Sequence, residues 1–98
     1  MPASYILREL ARQDLEDIWL HTLAEWNLRQ AEAYVGSIID RLEWLAENQE
    51  AGKQRDDIKS GYRCFPEGSH LIFYTIEGAR INIIGIPHQN MDVVTHLE

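Results

Sequence analysis

The chain has 98 residues, 45% of them hydrophobic and 26% charged, with a net charge of −7 and a single cysteine. That length is one small domain with room for one core, and a lone cysteine excludes an internal disulfide. The acidic balance sits mostly in residues 1–50, with four basic against ten acidic groups, net −6; this disfavours a phosphate backbone, so no direct nucleic-acid ligand is expected and a protein partner is favoured.

The N-terminus carries no signal-peptide pattern and no apolar run approaches a membrane span of ~20 residues, so a cytoplasmic location away from membranes is expected. Ser4–Leu7 reads as a short strand. A helix follows, in which Ala11, Leu15, Ile18, Thr22 and Trp26 share one face, flanked by Trp19 and Leu23. Asp14, Glu16 and Asp17 lie in its first half, where carboxylates suit the helix dipole. No capping residue precedes Ala11, and Asn27 is the expected stop, since Asn tolerates the left-handed conformation. A second helix is expected from about Leu28 to Asn48, with Ala31, Val35, Ile38, Leu42 and Leu45 on its apolar stripe. So short a connection folds the two helices back as an antiparallel hairpin. Gly36 inside the second helix costs about 1 kcal/mol relative to Ala, which close approach of a neighbour would explain.

Two apolar residues stand off these stripes, Leu20 about 140° from Leu15 and Trp44 about 120° from Ile38 on a 100° wheel. Isolated exposed apolar side chains are ordinary. Trp is nonetheless enriched at interfaces, which makes Trp44, and Leu20 with it, candidate partner-binding residues.

Glu47 to Lys59 is polar and reads as a solvated loop. Tyr62–Phe65, His70–Ile76 and Arg80–Ile86 are rich in β-branched and aromatic residues. Pro66-Glu67-Gly68 and Glu77-Gly78 separate them as turns, which predicts a three-stranded meander. The third strand is apolar on both faces, so it should be covered on both sides, and its pairing should stop at Pro87, which cannot donate a ladder hydrogen bond. Cys64 inside a strand reads as a small buried hydrophobe, not a nucleophile. The polar cluster His88-Gln89-Asn90-Met91-Asp92, at the end of a buried strand, is the expected functional locus. His88, Asp92 and His96 are spaced as a metal face would be on one helix, but Pro87 and the short tail disfavour such a helix, and no metal or other cofactor is expected.

Several phrases carry a family resemblance. Ala11, Asp14-Leu15 and Ile18 open the first helix; Gln30-Ala31 and Tyr34 open the second. Gly61-Tyr62-Arg63, the strand Gly68-Ser69-His70-Leu71-Ile72-Phe73-Tyr74 and the ending His88-Gln89-Asn90-Met91-Asp92 are more specific. Together they resemble the toxins of the ParE/RelE toxin–antitoxin superfamily, over nearly the whole chain. The resemblance implies a single α+β domain over residues 1–98: an N-terminal strand, an antiparallel two-helix hairpin packed on a small antiparallel sheet, and a short C-terminal tail.

Two activities are known in that superfamily. RelE-like members cut mRNA on the ribosome with arginines and lysines around the sheet and often a C-terminal tyrosine; ParE-like members are gyrase poisons. RNA cleavage needs cations to neutralise the phosphorane and groups to move protons. His70 and His88-Gln89 stand here where RelE-like arginines often stand, and no tyrosine follows Tyr74. The resemblance therefore implies a non-enzymatic toxin directed at DNA gyrase, with no catalytic residues and with Arg63, His88, Met91 and Asp92 serving the gyrase-directed activity. Arg63 joins that group if the meander pairs in sequence order. The implied partner is a ParD-like antitoxin, a ribbon-helix-helix protein whose amphipathic tail docks on a surface that includes Leu20 and Trp44 in a hetero-oligomer. The alternatives are an mRNA endonuclease, in which His70 and His88 form an acid–base pair, and a non-toxic relic that only binds antitoxin.

Overall fold

The computed structural model describes residues 3–98. In chain order the elements are β1 (Ser4–Leu7), α1 (Glu9–Glu25), α2 (Leu28–Glu47), β2 (Lys53–Gln54), β3 (Arg63–Glu67), β4 (His70–Glu77), β5 (Arg80–Gly85) and α3 (Val93–Leu97). The expected meander is the centre of a larger, mixed sheet in the order β1-β5-β4-β3-β2. Its β1 lies parallel to β5, with Ser4 opposite Arg80 and Leu7 opposite Ile83, and the other pairs are antiparallel. Two residues of the expected loop, Lys53 and Gln54, form β2 against Cys64 and Arg63, a pairing too short to leave a period in the sequence.

The apolar stripes of the hairpin meet the sheet in one core. Ile18, Ile38, Leu42 and Leu45 from the helices pack with Ile72, Tyr74, Ile81, Ile83 and Ile86 from the strands, and Ile38 and Ile83 are fully buried there. Helix α1 begins without a side-chain cap, as its sequence indicates; Glu9 in the first turn is held instead by Arg12, which donates from Nη2 at 2.6 Å.

The boundary between the helices differs from expectation. Helix α1 ends at Glu25, so Trp26 drops off the apolar face and is 73% exposed. Asn27 does not adopt the left-handed conformation. It is the extended N-cap of α2, and its side-chain oxygen accepts from Gln30 N at 2.8 Å, which is the stronger use of an Asn at a helix junction.

Two prolines also behave differently from the expected breaks. Pro66 lies inside β3, opposite Leu71. The Leu71 amide turns the other way, donating to Pro87 O at 2.9 Å, so Pro66 sits in a non-hydrogen-bonded pair and needs no amide there. The turn is left to Gly68 and Ser69, with Gly68 at φ 58°; an added Cβ at Gly68 would stand 2.6 Å from the Tyr34 ring. Pro87 does not end the pairing. Past a register shift at Phe73/Tyr74, Pro87 accepts through its carbonyl, Gln89 N donates to Ser69 O at 2.8 Å, and His88 bridges to His70. The tail then closes as α3, capped by Asp92.

Candidate functional site

The extension of β4 and β5 past Pro87 creates a site where α1, the sheet end and α3 meet. Asp14 is its hub. This carboxylate lies within the apolar stripe of α1 and is 6% exposed. It accepts the Ile86 amide at 2.7 Å and the His96 Nε2–H at 2.8 and 2.9 Å, tying α1 to the end of β5 and to α3. Sequence reading assigned Asp14 to the helix dipole. The signal for its actual role was present: a carboxylate three residues after Ala11 and four before Ile18 shares their face, and a buried carboxylate there needs donors.

Beside this hub opens a cleft of about 360 Å³ whose lining includes all four histidines of the chain, His21, His70, His88 and His96. Ile18, Ile86 and Met91 supply its apolar surface, and Asp17 joins Asp14 on the helix side. The His70 and His88 rings meet edge to face with centroids 5.3 Å apart. Burial, reinforced by the neighbouring His88, pushes the His70 pKa down to about 4, so this imidazole is neutral at pH 7.

The hydrogen bonds assign its tautomer. The Tyr34 hydroxyl accepts from Ser69 N at 2.9 Å and has one proton to give; His70 Nδ1 stands 2.7 Å away, whereas the Glu67 carbonyl is at 3.5 Å. The hydroxyl donates to Nδ1, which leaves the His70 proton on Nε2. In His88, Nδ1 accepts from Asn90 N at 3.1 Å, so its neutral form also carries the proton on Nε2. A general base needs an available lone pair. Here the acceptor nitrogen of each ring is already engaged, and what remains is an N–H donor.

Of the residues expected to carry activity, the structure brings His88 and Met91 together at this cleft. Asp92 follows them but is spent on α3, accepting Thr95 N at 3.3 Å and Thr95 Oγ1 at 2.9 Å; those bonds hold its carboxyl below the usual range. Arg63 is elsewhere. The meander does pair in sequence order, yet Arg63 faces Tyr74 at one end of β3, while the far end, Glu67, lies level with His70 and His88. Four residues of strand, about 13 Å, separate the two levels. The Arg63 Nη1 donates to Gly52 O at 2.8 Å and Glu50 O at 3.3 Å, so it fastens the loop before β2.

Trp44 is 39% exposed and packs at a tilt against Phe65, ring centroids 5.4 Å apart. The Arg41 guanidinium lies 4.8 Å from its ring and is paired with Glu67 at 2.9 Å. Leu20, 60% exposed, stands on α1 apart from that group. Trp26 and Leu28, which flank the hairpin turn, are also exposed and were missed, because periodicity assigned Trp26 to the core. Among the described residues no group of three or more His, Cys, Asp or Glu side chains is arranged to hold a metal ion, and no helix is long and apolar enough to cross a membrane.

A family profile described as "ParE toxin of type II toxin-antitoxin system, parDE" matches residues 5–93. The chain is 36% identical over 93 residues to Toxin ParE1 of Caulobacter vibrioides, covering 95% of this chain and 96% of that one. The chain belongs to the ParE toxin family. Toxin ParE1 of Mycobacterium tuberculosis is likewise 36% identical over 98 residues, 99% of this chain and 100% of that one. A chain of the chromosomal ParDE system from P. aeruginosa has the same fold, with a TM-score of 0.74 at 23% identity over 89% of this chain and 96% of that one. The strand, helical hairpin and mixed sheet described above are therefore the ParE architecture, and the chain is the toxin component of a type II toxin–antitoxin system.

Proposed function

We infer that this ParE-family toxin acts as a protein inhibitor of DNA gyrase, without chemistry of its own, and is held silent by a ParD-like antitoxin in a hetero-oligomer. The observation that carries the non-enzymatic part is the furnishing of the cleft. No lysine or arginine lines it; His70 is neutral, and the acceptor nitrogens of His70 and His88 are engaged. Phosphoryl transfer involving a 2′-hydroxyl would need a cation on the phosphorane as well as a base, and the lining supplies no lysine or arginine for the first role. The same surface suits recognition. His88 and Met91 are presented at the end of a buried strand, and Asp14 braces the whole corner.

The partner side of the proposal keeps Leu20 and Trp44 as antitoxin contacts, supported by their exposure on an acidic hairpin. An amphipathic antitoxin tail would fold on binding and cover such apolar groups.

The test is induced expression without antitoxin, with DNA and protein synthesis followed separately. DNA replication should stop first, with filamentous cells and an increase in cleaved gyrase–DNA complexes. Truncation after Ile86 should abolish the effect while the shortened protein still accumulates. Early cuts in ribosome-bound mRNA with supercoiling untouched would instead mark an endonuclease; no effect on either synthesis would mark a chain that binds antitoxin and nothing more.

A further inference from the structure

The histidine cleft is built more specifically than a contact surface requires. On its sheet side His70 and His88 each have Nδ1 engaged, by the Tyr34 hydroxyl and the Asn90 amide. Their remaining polar atoms are Nε2–H donors. On the helix side Asp17 and His21, one turn apart on α1, are exposed and have no hydrogen-bond or ion partner among the described residues; Asp17 calls for a donor, and the His21 ring can accept or donate. Ile18, Ile86 and Met91 provide the apolar surface between.

Charge narrows the ligand. A carboxylate would satisfy the imidazole donors but face Asp17 and the buried Asp14. An ammonium or guanidinium group would suit Asp17 but meet two N–H donors head on. A neutral group with a carbonyl and an N–H answers both sides and sheds its water at far lower cost than an ion. The geometry points to this cleft as a recognition site for an uncharged amide on an apolar stem, an Asn or Gln side chain or a peptide bond presented by a protein partner. A volume of about 360 Å³ accommodates such a side chain with its neighbours. The inference rests on the target-contact reading only in taking the donor of the amide to be a protein.

The test uses the full chain alone. Long-range ¹H–¹⁵N spectra of the imidazoles report the tautomers directly, and His70 and His88 should both appear as Nε2–H. The chain is then titrated with three probes of one size: propionamide, propionate and propylammonium. Propionamide should shift the His70 and His88 ring signals saturably, with the other two at least tenfold weaker. His88→Gln, whose amide nitrogen can stand in for Nε2–H, should retain binding as read at His70; His88→Leu should weaken it at least tenfold, with the His70 tautomer unchanged as proof of an intact site. An Nδ1–H form of His70, preference for propionate or propylammonium, or no shift with any probe up to its solubility limit would overturn the proposal. Because gyrase is absent, that failure leaves the target reading standing. A chain that binds propionamide yet raises no gyrase–DNA cleavage in cells would overturn the target reading alone.

Discussion

Asp14 and His70 do opposite jobs in the same corner, one as an acceptor for two donors, the Ile86 amide and the His96 imidazole, and the other as a neutral donor. Replacing Asp14 with Ala strands the Ile86 amide in the interior and frees His96. The expected cost is about 1–3 kcal/mol, read as a lower urea midpoint, and Asp14→Asn should recover part of it because an amide oxygen can still accept from Ile86. An unchanged midpoint for Asp14→Ala would mean that α3 and the β5 end are not anchored there. His70 predicts a pH dependence. Its folded pKa of about 4 lies below the ordinary imidazole value of 6.5, so the unfolded chain binds the extra proton first. The stability tied to its neutral form is complete above pH 6.5 and is lost as pH falls toward 4. The whole loss could reach about 3 kcal/mol for a dry site and is less for this part-buried ring. His70→Gln should flatten the stability profile between those pH values, whereas parallel profiles for variant and parent would show that His70 titrates normally.

At the scale of elements, both helices were legible from the 3.6-residue period of their apolar stripes, and the meander from β-branched and aromatic runs separated by turn residues. The same stripes predict that Ile38→Ala or Ile83→Ala costs about 2–5 kcal/mol, since both are fully buried; equilibrium denaturation of each checks this. What could not be read was settled by partners distant in sequence. Nothing in Ser4–Leu7 states that it will lie parallel to β5, and Lys53–Gln54 becomes a strand only because β3 offers an edge. The site was half legible: His88 and Met91 stood out as a polar ending, but Asp14 joins them across the whole chain. Gly36 offers a cleaner test. An ideal Cβ there would meet nothing within 4 Å, so close packing does not explain this glycine. Gly36→Ala should stabilise the toxin by about 0.5–1 kcal/mol, visible as a raised denaturation midpoint without loss of antitoxin binding; a lowered midpoint would reveal a neighbour that the packing omits.

For the whole molecule, two tryptophans separate folding from assembly. Trp44 is shared between the fold and the proposed interface, since it supports Phe65 and Arg41. Trp44→Ala should therefore lower stability and also speed dissociation of the antitoxin complex, and equal dissociation rates would remove it from the interface. Trp26 makes no comparable demand. At 73% exposure, Trp26→Ala should leave stability within about 0.5 kcal/mol, so any change in complex lifetime would report the hairpin tip as part of the contact.

The parallel pairing of β1 with β5 also sets an order of events during synthesis. Ser4–Leu7 leaves the ribosome early but has no neighbouring strand until Arg80–Ile83 follows. The hairpin can form locally and at speed, while the contact that closes the sheet spans most of the chain and is the slow, late one. A nascent toxin therefore passes through a stage with its helices made and its first strand edge unpaired. In that stage it lacks the corner that α1, β5 and α3 build together. An antitoxin already present in the cell would meet the hairpin, with its proposed contacts, before the finished toxin exists.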